Sequence, residues 1–212
     1  MALENRVRPR KYAIFSPAFF TVPRPCLMVS QLKVTGFSPS SPTVLRHPLL
    51  QAIEGTVQVY TSVHRSFFTN VMVQALRTAE QGKPVLIVQF LKGGMDQGPE
   101  NPMQLGQNLD WVRCALPYCI HEAPVDAVVQ QQAVADLWQH TQTVINKGRY
   151  GLVVLDELSL AVHYHLIAAD EVVALLRHRP PQIDVILTGP AMPESLLKVA
   201  DQVTEFRRNF LA

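Results

Sequence analysis

The chain has 212 residues, of which 48% are hydrophobic and 17% charged, with a formal net charge of +2. That length suits one domain, or one domain with an appended segment, and it can bury a sizeable core without staples. The near-neutral charge makes nucleic acid an unexpected partner, and no apolar run reaches the roughly 18 residues that would span a membrane.

Residues 1–50 carry Arg6, Arg8, Arg10, Lys11, Arg24, Lys33 and Arg46 against the single acid Glu4, and hold seven prolines. Such a stretch buries little and forms few helices. It reads as a basic, largely irregular extension, with 51–212 as the folded domain. A basic arm for an acidic partner or nucleic acid is the sharper reading, and translation from Met28 is a third.

From Thr56 the pattern changes. TVQVY is a strand, and Phe67 to Gln81 has apolar residues at helical spacing, closed by Gly82. PVLIVQF (84–90) is an apolar strand of the kind buried on both faces. A Gly/Pro/Asn-rich loop follows from Lys92 to Asn108, and a short strand is expected near Ala115–Ile120. Asp126 to Lys147 reads as a long helix with Val129, Ala133, Leu137, His140 and Val144 along one side, ended by Gly148. GLVVLDE (151–157) is a buried strand ending in two acids. A helix over Ala169–Arg177 stops before Pro180 and Pro181, and IDVILTG (183–189) is another buried strand. Pro193 is expected at the first position of a helix running to about Asp201, with VTEFR as a last strand.

Apolar strands alternating with helices predict an α/β fold: an open, mostly parallel sheet with helices on both faces. Ligands of such sheets bind at the carboxyl ends of the strands. The loops after Tyr60, Phe90, Leu155 and Leu187 are then the functional edge. Asp156 and Glu157 end a buried strand there. They can hold Mg²⁺ directly or through water, or serve only as acids at the start of the next helix. Cys114, Cys119 and His121 lack a standard zinc spacing. His163 and His165 read as a solvated loop. The odd count of three cysteines, with Cys26, and the absence of a secretory signal suggest a reducing compartment, the cytoplasm.

In order along the chain, VYT, an amphipathic helix, GKPVLIVQFLKGG, GRYGLVVLDELSLAV, EVVALLRHRP, DVILTG and ADQVTEFR closely resemble the P-loop family of ATP:corrinoid adenosyltransferases, over about residues 55–208. The resemblance implies a P-loop NTPase-like fold. It also implies transfer of the 5′-deoxyadenosyl group of ATP to the cobalt of a reduced corrinoid, with release of triphosphate. It further implies ATP and Mg²⁺ as ligands, the corrinoid as substrate, and pairing as a homodimer. Asp156 and Glu157 would hold the metal. Thr61, Ser62, His64, Arg65, Ser66 and Thr69 would line the phosphate loop, and Lys92 and Trp111 would lie on the corrinoid side.

The family's loop has the form TGxGKGKTT. This chain has Thr61-Ser62-Val63-His64-Arg65-Ser66-Phe67-Phe68-Thr69 in that place. Ser66 stands at the last glycine, Phe67 at the lysine that reaches the phosphates, and Phe68 at the hydroxyl residue that ligates Mg²⁺. Pro190 stands where the family has an arginine after TG, and the family's tail beyond the VTE strand is largely missing. The expectation is a family member with lost or strongly reduced ATP-dependent activity, its two phenylalanines packed under the sheet. The alternatives are an active enzyme in which Arg65 serves as the phosphate cation, and a nucleotide-independent regulatory or partner-binding module.

Overall fold

In a computed structural model of the chain, residues 54–94, 97–123 and 128–207 are described; the extension read at 1–50 lies outside them. Seven strands form one sheet in the order β3-β4-β2-β5-β6-β1-β7. They are β1 (Val57–Ser62), β2 (Val85–Gln89), β3 (Met103–Leu105), β4 (Leu109–Arg113), β5 (Leu152–Asp156), β6 (Asp184–Pro190) and β7 (Gln202–Phe206). Every neighbouring pair is parallel except β3 with β4. The helices are α1 (Thr69–Glu80), α2 (Val128–Asn146), α3 (Leu158–His163), α4 (Ala169–His178) and α5 (Glu194–Leu197). The α/β class with a mostly parallel sheet is as expected.

The central strands are apolar throughout because each feeds two cores. Leu86, Val88, Val153, Leu155, Val185 and Leu187 face one cluster, which also takes residues of α2, α3, α4 and α5. The alternate residues Val85, Ile87, Leu152, Val154 and Ile186 face a second, under Val71, Met72, Ala75 and Ala79 of α1. This is the period-two alternation of a strand covered on both faces. α1 closes as its sequence requires: Gly82 adopts φ +85° and its N–H donates to the Ala79 carbonyl at 3.0 Å. α4 ends before the two prolines. There the Arg179 guanidinium donates to the carbonyls of Leu176 and Gly55, at 2.6 and 2.7 Å, tying the helix to the segment before β1.

Four local expectations change. The loop expected at 92–108 contains β3, which turns through Gly106 into β4, the strand that carries Trp111. Residues 115–120 form no strand. They pack against the turn after β2, where Gly94 N–H donates to Leu116 O at 2.7 Å and Ile120 N–H to Leu91 O at 2.8 Å. A side chain at Gly93 would run into the carbonyls of Leu116 and Tyr118, so that approach requires glycine. The start of α2 read at Asp126 lies outside the described residues. The buried side of α2 is Val134, Leu137, Trp138, Thr141 and Ile145, with Val129 exposed; the Nε1–H of Trp138 donates to Glu171 of α4 at 2.8 Å. Pro193 caps α5 rather than opening it, and the helix stops at Leu197. By Asp201 the chain has joined β1, exchanging hydrogen bonds with Val57 through its backbone N–H and its carboxylate, at 2.8 and 2.7 Å.

Candidate functional site

The carboxyl ends of β1, β2, β5 and β6 converge on one edge, and the acids of that edge are its most heavily hydrogen-bonded part. Asp156 closes β5 and is buried. Its Oδ1 accepts from Thr188 Oγ1 at 2.8 Å, and its Oδ2 from Gln89 Nε2 at 2.7 Å and Lys92 Nζ at 2.8 Å. Glu157 follows with φ +58° and ψ +25°, the left-handed region that a glutamate rarely enters. Two contacts hold it there. Its backbone N–H donates to Thr188 Oγ1 at 3.0 Å, and its two carboxylate oxygens accept from Arg65 Nε and Nη2 at 2.6 and 2.7 Å. The third arm of the fork, Nη1, donates to the Ile120 carbonyl at 3.1 Å.

The guanidinium of Arg65 thus joins the loop after β1, the end of β5 and the segment before α2. The hydrogen-bonded carboxylate of Glu157 holds its pKa above the ordinary value, against an opposing effect of burial. Lys92 makes the matching pair with Asp156, and its ammonium also lies 5.0 Å from the centre of the Phe67 ring, a cation–π contact. All four carboxylate oxygens of the acid pair therefore accept hydrogen bonds from this chain's own side chains.

Thr188 and Gln89 went unremarked as site residues. A signal for both was present: each is a polar residue following a run of apolar strand residues, LIV before Gln89 and VIL before Thr188, and a buried polar group needs a partner. Gln89 extends the network outward. Its Oε1 accepts from Arg113 Nε at 2.9 Å, and the Arg113 guanidinium lies 5.6 Å from the Trp111 ring. Trp111 is thereby linked to Asp156 through two side chains. It packs beside the α1-side core, and its buried Nε1 has no hydrogen-bond partner among the described residues.

The loop after β1 walls a cavity of about 650 Å³, lined by residues 62–70, Phe206 and Arg207. Ser62, His64, Arg65, Ser66 and Thr69 are brought together here, and Thr61 lies in β1 paired with Gly189 and Glu205. The hydroxyls of Ser62 and Ser66 both donate to the His64 carbonyl, at 2.6 and 3.2 Å. The two phenylalanines separate. Phe68 is buried at 4% exposure, precedes α1 and meets Phe206 with ring centres 5.6 Å apart, whereas Phe67 is 51% exposed. Only Phe68 is the core residue expected of both. Gly189 enters with φ +135° against Ser159, whose Oγ donates to the Pro190 carbonyl at 2.6 Å.

The remaining candidates do not assemble. Burial pushes the Cys114 thiol up to about 12, which keeps it protonated at neutral pH. Among the described residues no group of three His, Cys, Asp or Glu side chains is placed to hold a metal ion. No helix among them is long and apolar enough to cross a membrane.

Comparison with known proteins extends the geometry. The model of the ATP:corrinoid adenosyltransferase family BtuR/CobO/CobP matches residues 53–209. The chain is 30% identical over 154 residues to a corrinoid adenosyltransferase of Escherichia coli K12, covering 72% of this chain and 76% of that protein. It is 29% identical over 158 residues to the corrinoid adenosyltransferase CobA of Salmonella typhimurium LT2, covering 74% and 79%. A corrinoid adenosyltransferase of Sinorhizobium sp. is 28% identical over 164 residues, with 72% of each chain covered.

Proposed function

The chain belongs to the family of ATP:corrinoid adenosyltransferases, and from that premise we propose that it keeps the family's scaffold while its ATP-dependent transfer is lost or strongly reduced. The family's task is to place a cobalt nucleophile against C5′ of ATP and to neutralise the departing triphosphate, which is positioning plus electrostatics. The observation that carries the reading is the closed charge balance of the site. Arg65 forks onto Glu157, and Lys92 pairs with Asp156.

Each pairing removes a function the reaction needs. For Arg65 to act as the phosphate cation it must leave a buried carboxylate, which costs more than a single charge-assisted hydrogen bond of roughly 1.5–3 kcal/mol returns. A guanidinium and an ammonium flank the acid pair where Mg²⁺ would have to approach, and Phe68 brings a buried ring where a metal-binding hydroxyl is needed. Asp156 and Glu157 in this arrangement do not fit a divalent cation. Phe67 presents a ring, not an ammonium, to the cavity. Losing two or three phosphate contacts weakens nucleotide binding by several orders of magnitude, at about 1.4 kcal/mol per factor of ten.

Thermal unfolding with Mg-ATP tests the reading. A ligand at 100 times its Kd stabilises by about 2.7 kcal/mol. The expected result is no shift at millimolar ATP and no adenosylation of reduced corrinoid. A clear shift accompanied by turnover would establish an active enzyme with a non-standard loop.

A further inference from the structure

The cavity beside the loop has walls that suit a different ligand. Its volume of about 650 Å³ is that of a small-molecule site, for which roughly 300–1,000 Å³ is usual. Three phenylalanines line it. Phe67 and Phe206 leave 51% and 39% of their area open, and Phe68 is buried behind them. Phe206 is held from two sides, by Tyr60 with stacked ring centres 6.2 Å apart and by Phe68 at 5.6 Å. Two large aromatics left half open around one hollow are apolar surface that a ligand can take from water.

Both arginines of the lining are paired with an acid just outside it. Arg65 is neutralised by Glu157, and Arg207 pairs with Glu205 at 2.9 Å. Thr69 and Asn70 add a hydroxyl and an amide from the first turn of α1. These groups can hydrogen-bond a heterocycle or a sugar, whereas balancing a polyanion would require the arginines to leave their carboxylates.

We propose that this cavity takes a neutral, planar heteroaromatic ligand, a nucleoside rather than a nucleoside triphosphate, with the base against Phe206 and the sugar toward Thr69 and Asn70. The proposal rests on the reading that the triphosphate grip is gone, and it names what the altered site selects. Any base presents a π-face to an aromatic ring. A triphosphate entering the same space gives up its hydration, and among the described residues the arginines of the lining are already paired with carboxylates.

Calorimetric titration of the full-length chain with adenosine, with ATP and with inorganic tripolyphosphate tests the selection. Adenosine is expected to bind with a sub-millimolar Kd, ATP at least about tenfold more weakly and tripolyphosphate not at all. Saturation-transfer NMR should place the base protons, not the sugar protons, closest to the protein. In Phe206→Ala the Kd for adenosine should rise about tenfold, the equivalent of about 1.4 kcal/mol for one lost stacking contact, and Phe206→Tyr should restore it. Circular dichroism on each variant shows whether β7 still forms. ATP binding more tightly than adenosine would overturn this proposal and the reading of the loop together. No binding of either in the millimolar range would overturn the proposal alone. Adenosine binding that is unchanged in a folded Phe206→Ala would overturn the placement.

Discussion

Arg65 and Glu157 do not stand to lose equally when separated. The Glu157 side chain is 6% exposed and that of Arg65 30%. Arg65→Ala leaves a buried carboxylate without the two donors it has at 2.6 and 2.7 Å. Stripping one partner from a buried pair costs roughly 3–5 kcal/mol. Because Arg65 reaches the surface, water can enter the vacated space, and about 2–3 kcal/mol is the expected loss. For a domain of this size that lowers Tm by about 4–12 °C. Glu157→Gln releases the guanidinium toward water and should cost about 1 kcal/mol or less. The double variant should be more stable than Arg65→Ala alone, since the orphaned charge is gone. Urea unfolding followed by circular dichroism measures all three. If Arg65→Ala costs under about 0.5 kcal/mol, or if Glu157→Gln costs more, the fork is not what holds Glu157 and the account of the site fails.

Phe68→Ala should destabilise by roughly 3–5 kcal/mol, as for a buried aromatic, while Phe67→Ala should cost under about 1 kcal/mol; denaturant midpoints separate the two. Cys114, with its thiol pushed up to about 12, should resist iodoacetamide at pH 8 in the native chain and react once unfolded, read by mass mapping of the labelled peptides. Burial works to raise the Asp184 carboxyl, but Lys83 and Thr56 hydrogen bonds outweigh it and hold the group below its ordinary 3.8. A depressed carboxylate contributes stability that is fully present above that value and is lost as pH falls through the folded one. Lys83→Met should therefore destabilise at pH 6 and make less difference near pH 3, in urea titrations at the two pH values.

The structure also narrows how the phosphate loop can be rebuilt. Restoring a hydroxyl at Phe68 would open a hole in the α1-side core, so a gain-of-binding variant should keep Phe68 and change Ser66→Gly with Phe67→Lys. The exposed position 67 tolerates a lysine. That lysine would enter beside the Lys92 ammonium, which already lies over the ring it replaces.

Much of this protein was legible in its residues taken in order. Apolar runs such as VLIV and LVVL specify strands buried on both faces, Gly82 and Gly148 end helices through positive φ, and Pro180 with Pro181 halts α4. These are local effects of sterics and burial, which act within a few residues. The altered loop was equally plain, because aromatics there contradict the chemistry of holding an anion. What only the tertiary structure decided is where the charges go. Arg65 meets a carboxylate 92 positions away, Lys92 meets Asp156 64 positions away, and neighbouring Phe67 and Phe68 take opposite environments. Trp138 of α2 likewise meets Glu171 of α4, 33 positions away. Ion pairs and side-chain environments depend on which loops the sheet order brings to one edge, and no periodicity within a single segment carries that information.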